Sequence, residues 1–287
     1  MDKASSDGYN SSNMGFIKDF SGAVLTSAIE ANLWELGTHL GKSPKVELNQ
    51  EAGMQWYATG IKHPAFNGVF RTQIVNSEIR KEIERALGFF RSRRLPLSWW
   101  IGPSSRPPDL GKLLRDKGLT PGPEMLGMAT DLTSIEQYQV WPAQLRIKEV
   151  DDLETLKRWT QPFAVAFGVP VSLADAICDL FAGLGLTSAL PLRHFVGYLH
   201  ETPIACCSLF LGAGVAGIYN VATSPAQRGK GIGATLTINA LLEARKLSYQ
   251  TGILHASTSN SGMYQRIGFK EYCRISTYII APKSRLS

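Results

Sequence analysis

A glycine-rich segment in the second half of the chain is well suited to binding an anion. It reads Gln-Arg-Gly-Lys-Gly-Ile-Gly over residues 227–233, and apolar residues at helical spacing follow from Ala234. Glycines let the main chain approach a ligand closely. Unpaired N–H groups at the start of a helix attract phosphates. The sequence therefore predicts that this segment, the glycine loop, holds a diphosphate.

Three interpretations of the glycine loop compete. A surface turn without a ligand leaves the conformational cost of three alternating glycines unexplained. A dinucleotide fingerprint is formally present, because Gly229, Gly231 and Ala234 satisfy G-x-G-x-x-A. However, the strand predicted over 252–257 has no Asp or Glu to bind a ribose hydroxyl, and the loop follows an antiparallel meander. The third interpretation comes from a resemblance.

Two motifs resemble those of the GNAT superfamily of N-acetyltransferases. The family's acyl-CoA pattern, Q/R-x-x-G-x-G/A, is matched by Arg228, Gly231 and Gly233. Residues 264–269, Tyr-Gln-Arg-Ile-Gly-Phe, resemble the family's Y-x-x-x-G-F ending. The motifs occur in the family's order and extend over residues 215–269, and the order of elements extends the resemblance over the whole second half.

The resemblance implies direct transfer of an acyl group to an amine, with acetyl-CoA or another acyl-CoA as the donor and no metal. It implies that amides of the glycine loop hold the diphosphate and that the thioester lies beside the preceding strand, whose N–H groups polarise the carbonyl. The cofactor-binding residues expected on this basis are Val221, Ala222, Arg228, Gly229, Lys230, Gly231, Ile232, Gly233, Ala234 and Asn260.

Two side chains are candidates for proton transfer. Tyr264 matches the family tyrosine that protonates the departing thiolate, and the alternative is a helix tyrosine packed in the core. His255 is the best candidate for the base, because the strand ending at Val221 offers no Asp, Glu or His. A single strand histidine is more often structural, and water-mediated deprotonation of the amine is the rival.

Asn260 has two candidate roles. Many GNAT members carry an asparagine seven residues before the motif tyrosine, but Ser257 holds that place here and Asn260 lies only four residues before Tyr264. Asn260 can bond the pantetheine arm of the cofactor or cap the helix predicted from Ser261. Its shifted position favours the cap.

Hydrophobic periodicity and turn residues predict the elements that position these side chains. The second half is predicted to run strand, two helices, a three-stranded meander and the glycine loop, with Ser172 capping the second helix. Helix, strand, helix and strand follow over 234–247, 252–257, 261–267 and 271–280.

The first half is predicted to open with a helix within 16–40. Strands are predicted over 54–59, 69–75, 95–101 and 126–132, and helices over 79–94, capped by Asn76 or Ser77, and 109–117. Trp56, Trp99 and Trp100 are expected in its core, with the alternative that a tryptophan at a cleft between the halves holds an apolar acceptor.

The two halves share this order of elements, which predicts an internal repeat. The expected fold class is α/β (α+β), with two GNAT-like domains, each a mixed, mostly antiparallel sheet flanked by helices. We expect a tail over 1–15, a degenerate GNAT-like domain over 16–140 and the catalytic acyltransferase domain over 141–287. The first half has Leu114 where Tyr264 would be expected, so one acyl-CoA per chain is predicted.

Composition narrows the classes of function. The chain has 287 residues, 44% hydrophobic and 19% charged, which is typical of a globular protein. A net charge of +6 suits an anionic cofactor, but no basic block indicates nucleic acid. Four cysteines without zinc spacing, and no signal or membrane segment, favour a cytoplasmic location. A small-molecule or peptide amine is the expected partner; the alternative function is a catalytically silent acyl-CoA-binding or partner-binding module.

Overall fold

The computed structural model describes residues 15–51, 53–74, 78–135, 142 and 144–280. The predicted tail up to residue 14, the boundary at 140/141 and the caps Asn76 and Ser77 lie outside these residues. Among the described residues, no helix is both long and apolar enough to cross a membrane.

Helices and strands occur in the predicted order. The helices are Gly22–Leu40 (α1), Ile79–Ser92 (α2), Leu110–Asp116 (α3), Leu153–Phe167 (α4), Ala174–Ala182 (α5), Ile232–Lys246 (α6) and Ser261–Ile267 (α7). The strands are Glu47–Glu51 (β1), Met54–Ala58 (β2), Asn67–Thr72 (β3), Leu97–Ile101 (β4), Thr120–Pro121 (β5), Met125–Asp131 (β6), Leu145–Glu149 (β7), Leu192–Leu199 (β8), Thr202–Gly212 (β9), Val215–Thr223 (β10), Thr251–Ser257 (β11) and Lys270–Ile280 (β12). Strands β1 and β5 were not predicted from the sequence.

The strands form one mixed sheet in the order β1-β2-β3-β4-β12-β6-β11-β10-β9-β8-β7, with β5 paired to β12. Neighbouring strands are antiparallel except for β3 with β4 and β10 with β11, which are parallel. These two parallel pairs occupy equivalent places in the two halves. The predicted mixed, mostly antiparallel fold class is confirmed.

The two halves exchange their last strands. Strand β6 of the first half pairs with β11, and β12 of the second half pairs with β4. The exchanged strands also pair with each other. The sheet therefore continues from one half into the other, which the sequence analysis did not predict.

Helices cover both faces of the sheet, as the alternation along β9 shows. Cys206 and Phe210 pack in the same core cluster as α4 and α5, whereas Cys207 and Leu209 pack in the cluster that contains α6. Because successive strand residues point to opposite faces, the two clusters lie on opposite sides of the sheet.

Hydrogen bonds connect helix α1 of the first half to the meander of the second half, which consists of β8, β9 and β10. Asn32 Nδ2 donates to the Gly212 carbonyl oxygen at 2.8 Å, and Asn32 Oδ1 accepts from the Tyr219 hydroxyl at 2.8 Å. The Ala213 N–H donates to Glu35 Oε2 at 2.7 Å. These bonds hold α1 against the turn between β9 and β10 and against the middle of β10.

The predicted N-cap of α5 is wrong, whereas α4 has an N-cap residue that bonds its first turn. Ser172 does not cap α5: it lies in the middle of a single 3₁₀ turn, Val171–Leu173, and Leu173 takes the N-cap position. The extra turn shifts the start of α5 beyond the reach of the Ser172 hydroxyl. Asp152, by contrast, caps α4 by accepting from the Thr155 N–H at 2.6 Å.

Candidate active site

The glycine loop connects β10 to α6 and presents bare main-chain amides. Gly229 and Gly231 both have a φ of 77°, which residues with a side chain rarely adopt. The place that a Cβ would take at either glycine has no atom within 4 Å. Thr235 donates the first backbone bond of α6, to the Gly231 carbonyl, so the amides of 232–234 have no partner in the helix. This geometry suits a diphosphate.

Two exposed basic side chains belong to the loop. Arg228 Nε donates to the Thr223 carbonyl oxygen at 3.2 Å, and Lys230 Nζ donates to Gln227 Oε1 at 2.8 Å. Neither of these bonds is to a carboxylate, so both positive charges remain available to an anion. The side chain of Ile232, by contrast, is buried in the core and anchors the start of α6.

Strand β10 has a β-bulge next to the glycine loop. Between the Tyr219 and Ala222 pairings with β9, the residues Asn220 and Val221 together oppose a single residue. Asn220 has a φ of 55°, a conformation that asparagine tolerates better than most residues. Val221 lines the cavity described below, whereas Ala222 is buried and its amide faces the Cys206 sulfur.

A buried polar chain supports the bulge. Asn220 Nδ2 donates to Ser208 Oγ at 3.1 Å, and Ser208 Oγ lies 2.7 Å from His194 Nδ1. The His194 ring is packed against Trp159 and Phe181 at centroid distances of 4.9 and 4.7 Å. Burial lowers the pKa of His194 to about 3, so its ring is neutral and Nδ1 can accept a hydrogen bond from the Ser208 hydroxyl. These hydrogen bonds were not predicted from the sequence.

Strands β10 and β11 diverge beside the bulge. Their parallel pairing covers Ala216–Ile218 and Gly252–Leu254 and ends there. Beyond it, Val221 on one strand and His255 on the other line the same cavity. Diverging strand edges leave main-chain groups for an extended ligand to bond.

Tyr264 lies on α7 and lines the cavity with 7% of its surface exposed. Burial raises the pKa of its phenol well above the usual range, so the hydroxyl keeps its proton at neutral pH. The rest of the motif has a structural role: Gly268 ends α7 with a φ of 114°, and Phe269 is 2% exposed.

His255 lies on β11 with both ring nitrogens buried and without a hydrogen-bond partner among the described residues. Its ring is 6.2 Å from the Trp100 ring and 6.0 Å from the Tyr219 ring. Burial lowers the pKa of the imidazole to about 4. The ring is therefore neutral at physiological pH, with one nitrogen able to accept and the other able to donate a hydrogen bond to a ligand.

Asn260 occupies the N-cap position of α7, but its side chain makes no capping hydrogen bond. The favoured interpretation of this side chain as a cap is therefore wrong. It lines the cavity together with Ser257, and its backbone is helical (φ −101°, ψ −9°) where a capping residue is normally extended, so the side chain does not reach the first amides of the helix.

A cavity of about 370 Å³ joins these residues. Val221, His255, Asn260 and Tyr264 form one part of its lining, and most of the rest is apolar and comes from both halves of the chain. We call this apolar part the chamber; it includes Leu33, Phe70, Trp100, Phe163, Phe167 and Phe181.

The three tryptophans of the first half have different surroundings. Trp56 and Trp99 are buried in a core cluster with α2 and α3, as expected. Trp100, the next residue along β4, points to the opposite face of the sheet and lines the chamber. The first half therefore contributes a wall to the cavity.

Comparisons with known proteins agree with the two motifs. Residues 191–271 match the family model for the acetyltransferase (GNAT) domain. No curated protein matches the chain significantly.

Among the described residues, no cluster of three or more His, Cys, Asp or Glu side chains is placed to hold a metal ion.

Solved structures match the chain over most of its length. A GCN5-related N-acetyltransferase from Kribbella flavida has a TM-score of 0.68 at 15% identity, covering 90% of this chain and 97% of that one. The tandem GNAT protein from the clavulanic acid biosynthesis pathway has a TM-score of 0.55 at 14% identity, covering 94% and 98%. A GCN5-related N-acetyltransferase from Sphaerobacter thermophilus has a TM-score of 0.58 at 14% identity, covering 83% and 76%. The chain has the fold of these proteins.

Proposed function

We propose that this chain, which carries a GNAT domain in its second half, is an N-acyltransferase that moves an acyl group from coenzyme A to an amine. The observation that supports this most directly is that Val221, His255, Asn260 and Tyr264 line one cavity, which begins where β10 and β11 diverge. Acetyl-CoA is the donor we would test first, with a small-molecule or peptide amine as the acceptor.

In the proposed reaction, the neutral amine nitrogen attacks the thioester carbonyl carbon. Main-chain amides at the bulge stabilise the oxyanion that develops. As the C–N bond forms and the C–S bond breaks, the Tyr264 phenol gives its proton to the leaving sulfur. The proton lost by the amine nitrogen passes to water, which in turn restores the phenol. The products are an amide and the free thiol of coenzyme A.

The main rival is a module that binds acyl-CoA without turning it over. The two functions differ in one measurable product, the free thiol. Incubation with acetyl-CoA and a panel of amines, followed by a thiol-specific colour reagent, tests the proposal. Amine-dependent thiol release supports transfer, whereas tight acetyl-CoA binding without any thiol release supports the silent module.

We propose that the first half is a degenerate GNAT-like domain with a supporting role. Helix α3 corresponds to α7 in the order of elements, and its Leu114, where the tyrosine is expected, is completely buried. A buried leucine has no proton to give. One acyl-CoA site per chain follows from this proposal.

The pKa of His255 bears on the removal of the amine proton. Its folded-state pKa, about 4, lies below the ordinary 6.5, so the unfolded chain binds more protons between these pH values and acid destabilises the fold. Above pH 6.5 the ring is neutral in both states and does not titrate. His255 is therefore a weak base for an ammonium, and we propose that it accepts a hydrogen bond from the bound amine while water removes the proton.

Replacement of His255 by glutamine is expected to lower kcat/KM by about tenfold, by the same factor at every pH, because the flexible amide has an acceptor but does not hold it at the position of the imidazole nitrogen. The pH–rate profile between pH 6.5 and 9.5 should keep its shape. A profile that loses an ionisation in the variant would instead establish His255 as the general base. His200, which is exposed on the turn after β8, provides the control His200→Gln.

Replacement of Ser208 by alanine is expected to lower kcat by about tenfold, because the Asn220 amide loses its acceptor and the bulge loosens. The dissociation constant for acetyl-CoA should stay unchanged, since Ser208 does not contact the glycine loop. Ser208→Thr, which retains the hydroxyl, should restore kcat. Equal losses of kcat in both variants would show that packing, and not the hydroxyl, is what matters at Ser208.

A further inference from the structure

The chamber has an unusual lining for a site that receives an amine. Among the described residues, none that lines the cavity is Asp, Glu, Lys or Arg. The apolar walls come from α1, β3 and β4 of the first half and from α4 and α5 of the second. A volume of about 370 Å³ lies in the range of pockets that enclose a whole small molecule.

Several polar side chains in the lining are already bonded within the protein. Asn67 Nδ2 donates to the carbonyl oxygens of Ile61 at 2.8 Å and Pro96 at 3.0 Å. The Tyr219 hydroxyl and the Asn220 amide are held by Asn32 and Ser208, respectively. The walls of the chamber therefore offer few free polar groups to the body of a ligand.

The reacting part of the lining differs from the chamber. His255 presents two buried ring nitrogens without a partner, and Tyr264 presents its hydroxyl in the same cavity. A ligand that fills the cavity thus meets unpaired hydrogen-bonding groups on one part of the wall and mostly hydrocarbon on the rest.

We infer, on the basis of the proposed function, that the acceptor is a monoamine whose body is an aromatic or aliphatic hydrocarbon without a second charge. A second ammonium would be buried without a carboxylate, and a carboxylate would be buried without a guanidinium or ammonium; both are costly. The same apolar surroundings favour the neutral form of the amine, which is the nucleophile.

An exposed apolar ring in the lining fits this acceptor. Phe167, at the end of α4, is 43% exposed and also lines the cavity, so its ring borders both the solvent and the cavity. Val165, on the same helix, is 60% exposed but does not line the cavity. These two positions provide a matched pair for introducing charge.

Three amines with acetyl-CoA test the inference: 2-phenylethylamine, phenylalanine, which adds a carboxylate to it, and putrescine, a diamine. We expect kcat/KM for 2-phenylethylamine to exceed those for the other two by about 100-fold. Phe167→Asp should reduce the ratio of kcat/KM for 2-phenylethylamine to kcat/KM for putrescine, whereas Val165→Asp should leave this ratio unchanged. A higher kcat/KM for phenylalanine or putrescine overturns the inference.

Three further outcomes separate this inference from the proposed function. In the first, calorimetry shows acetyl-CoA binding, and the acetyl group is transferred to phenylalanine or putrescine but not to 2-phenylethylamine. This result overturns the inferred acceptor class but supports the proposed acyltransferase function. No acetyl-CoA binding overturns the proposed function and the inference with it. A preference for hexanoyl-CoA with no discrimination among the three amines would place the acyl chain of the donor in the chamber and also overturn the inference.

Discussion

Replacement of Tyr264 by phenylalanine is expected to lower kcat by about 100-fold or more, with the affinity for acetyl-CoA unchanged. The phenol is buried in the lining of the cavity, and its raised pKa keeps the proton available for the leaving sulfur. Phenylalanine fills the same space but has no proton to give. Steady-state kinetics and calorimetric titration with acetyl-CoA measure the two quantities separately.

A second buried tyrosine controls for the loss of a hydroxyl. Tyr278 on β12 is 8% exposed, and its hydroxyl accepts from Arg115 in the first half, away from the cavity. Tyr278→Phe should lower stability slightly and leave kcat unchanged. If Tyr264→Phe retained full turnover, the phenol would be a packing residue and the proton donor would have to be sought elsewhere.

Introduction of glutamate at Gly231 is expected to weaken acetyl-CoA binding by about 100-fold or more. The position of the missing Cβ faces open space beside the bare amides of α6, so a side chain there would project into the region assigned to the diphosphate. Its negative charge would repel phosphate and occupy the positive end of the helix dipole in place of the ligand. Calorimetric titration gives the dissociation constant directly.

Two controls separate charge from backbone strain. Gly231→Ala imposes the strain of a φ of 77° without adding a charge and should weaken binding much less. Gly118→Glu adds the same charge at a φ of 87° with equally open surroundings, but at the end of α3 in the first half. Retained acetyl-CoA affinity in Gly231→Glu would mean that the glycine loop does not hold the cofactor.

The sequence carries strong signals for the local parts of the site. Glycines at alternating positions before a helix allow the positive φ angles of a turn with exposed amides, which other residues rarely adopt, so the glycine loop could be predicted from residue types. The same holds for Gly268, which ends α7, and for the apolar spacing of α1 and α6. These features depend on contacts between residues close in the chain.

The bulge and the exchanged strands were not predicted, because they depend on partners distant in sequence. Asn220 is an unusual residue within a strand, which was a signal for a bulge, but its bond to Ser208 requires the register of β9 with β10. Strands β6 and β12 have equivalent places in the repeat. Each strand's residue pattern predicts a strand but does not determine which strand it pairs with, so the exchange between the halves could not be predicted.

The sequence by itself determined the glycine loop, the tyrosine motif, the order of helices and strands and therefore the fold class. Only the tertiary structure decided which side of β4 faces the second half and so made Trp100 part of the chamber. It also placed His255 among rings that exclude water and lower its pKa to about 4. Periodicity records which residues are buried, whereas the shape and charge of a cavity arise where elements from separate parts of the chain meet.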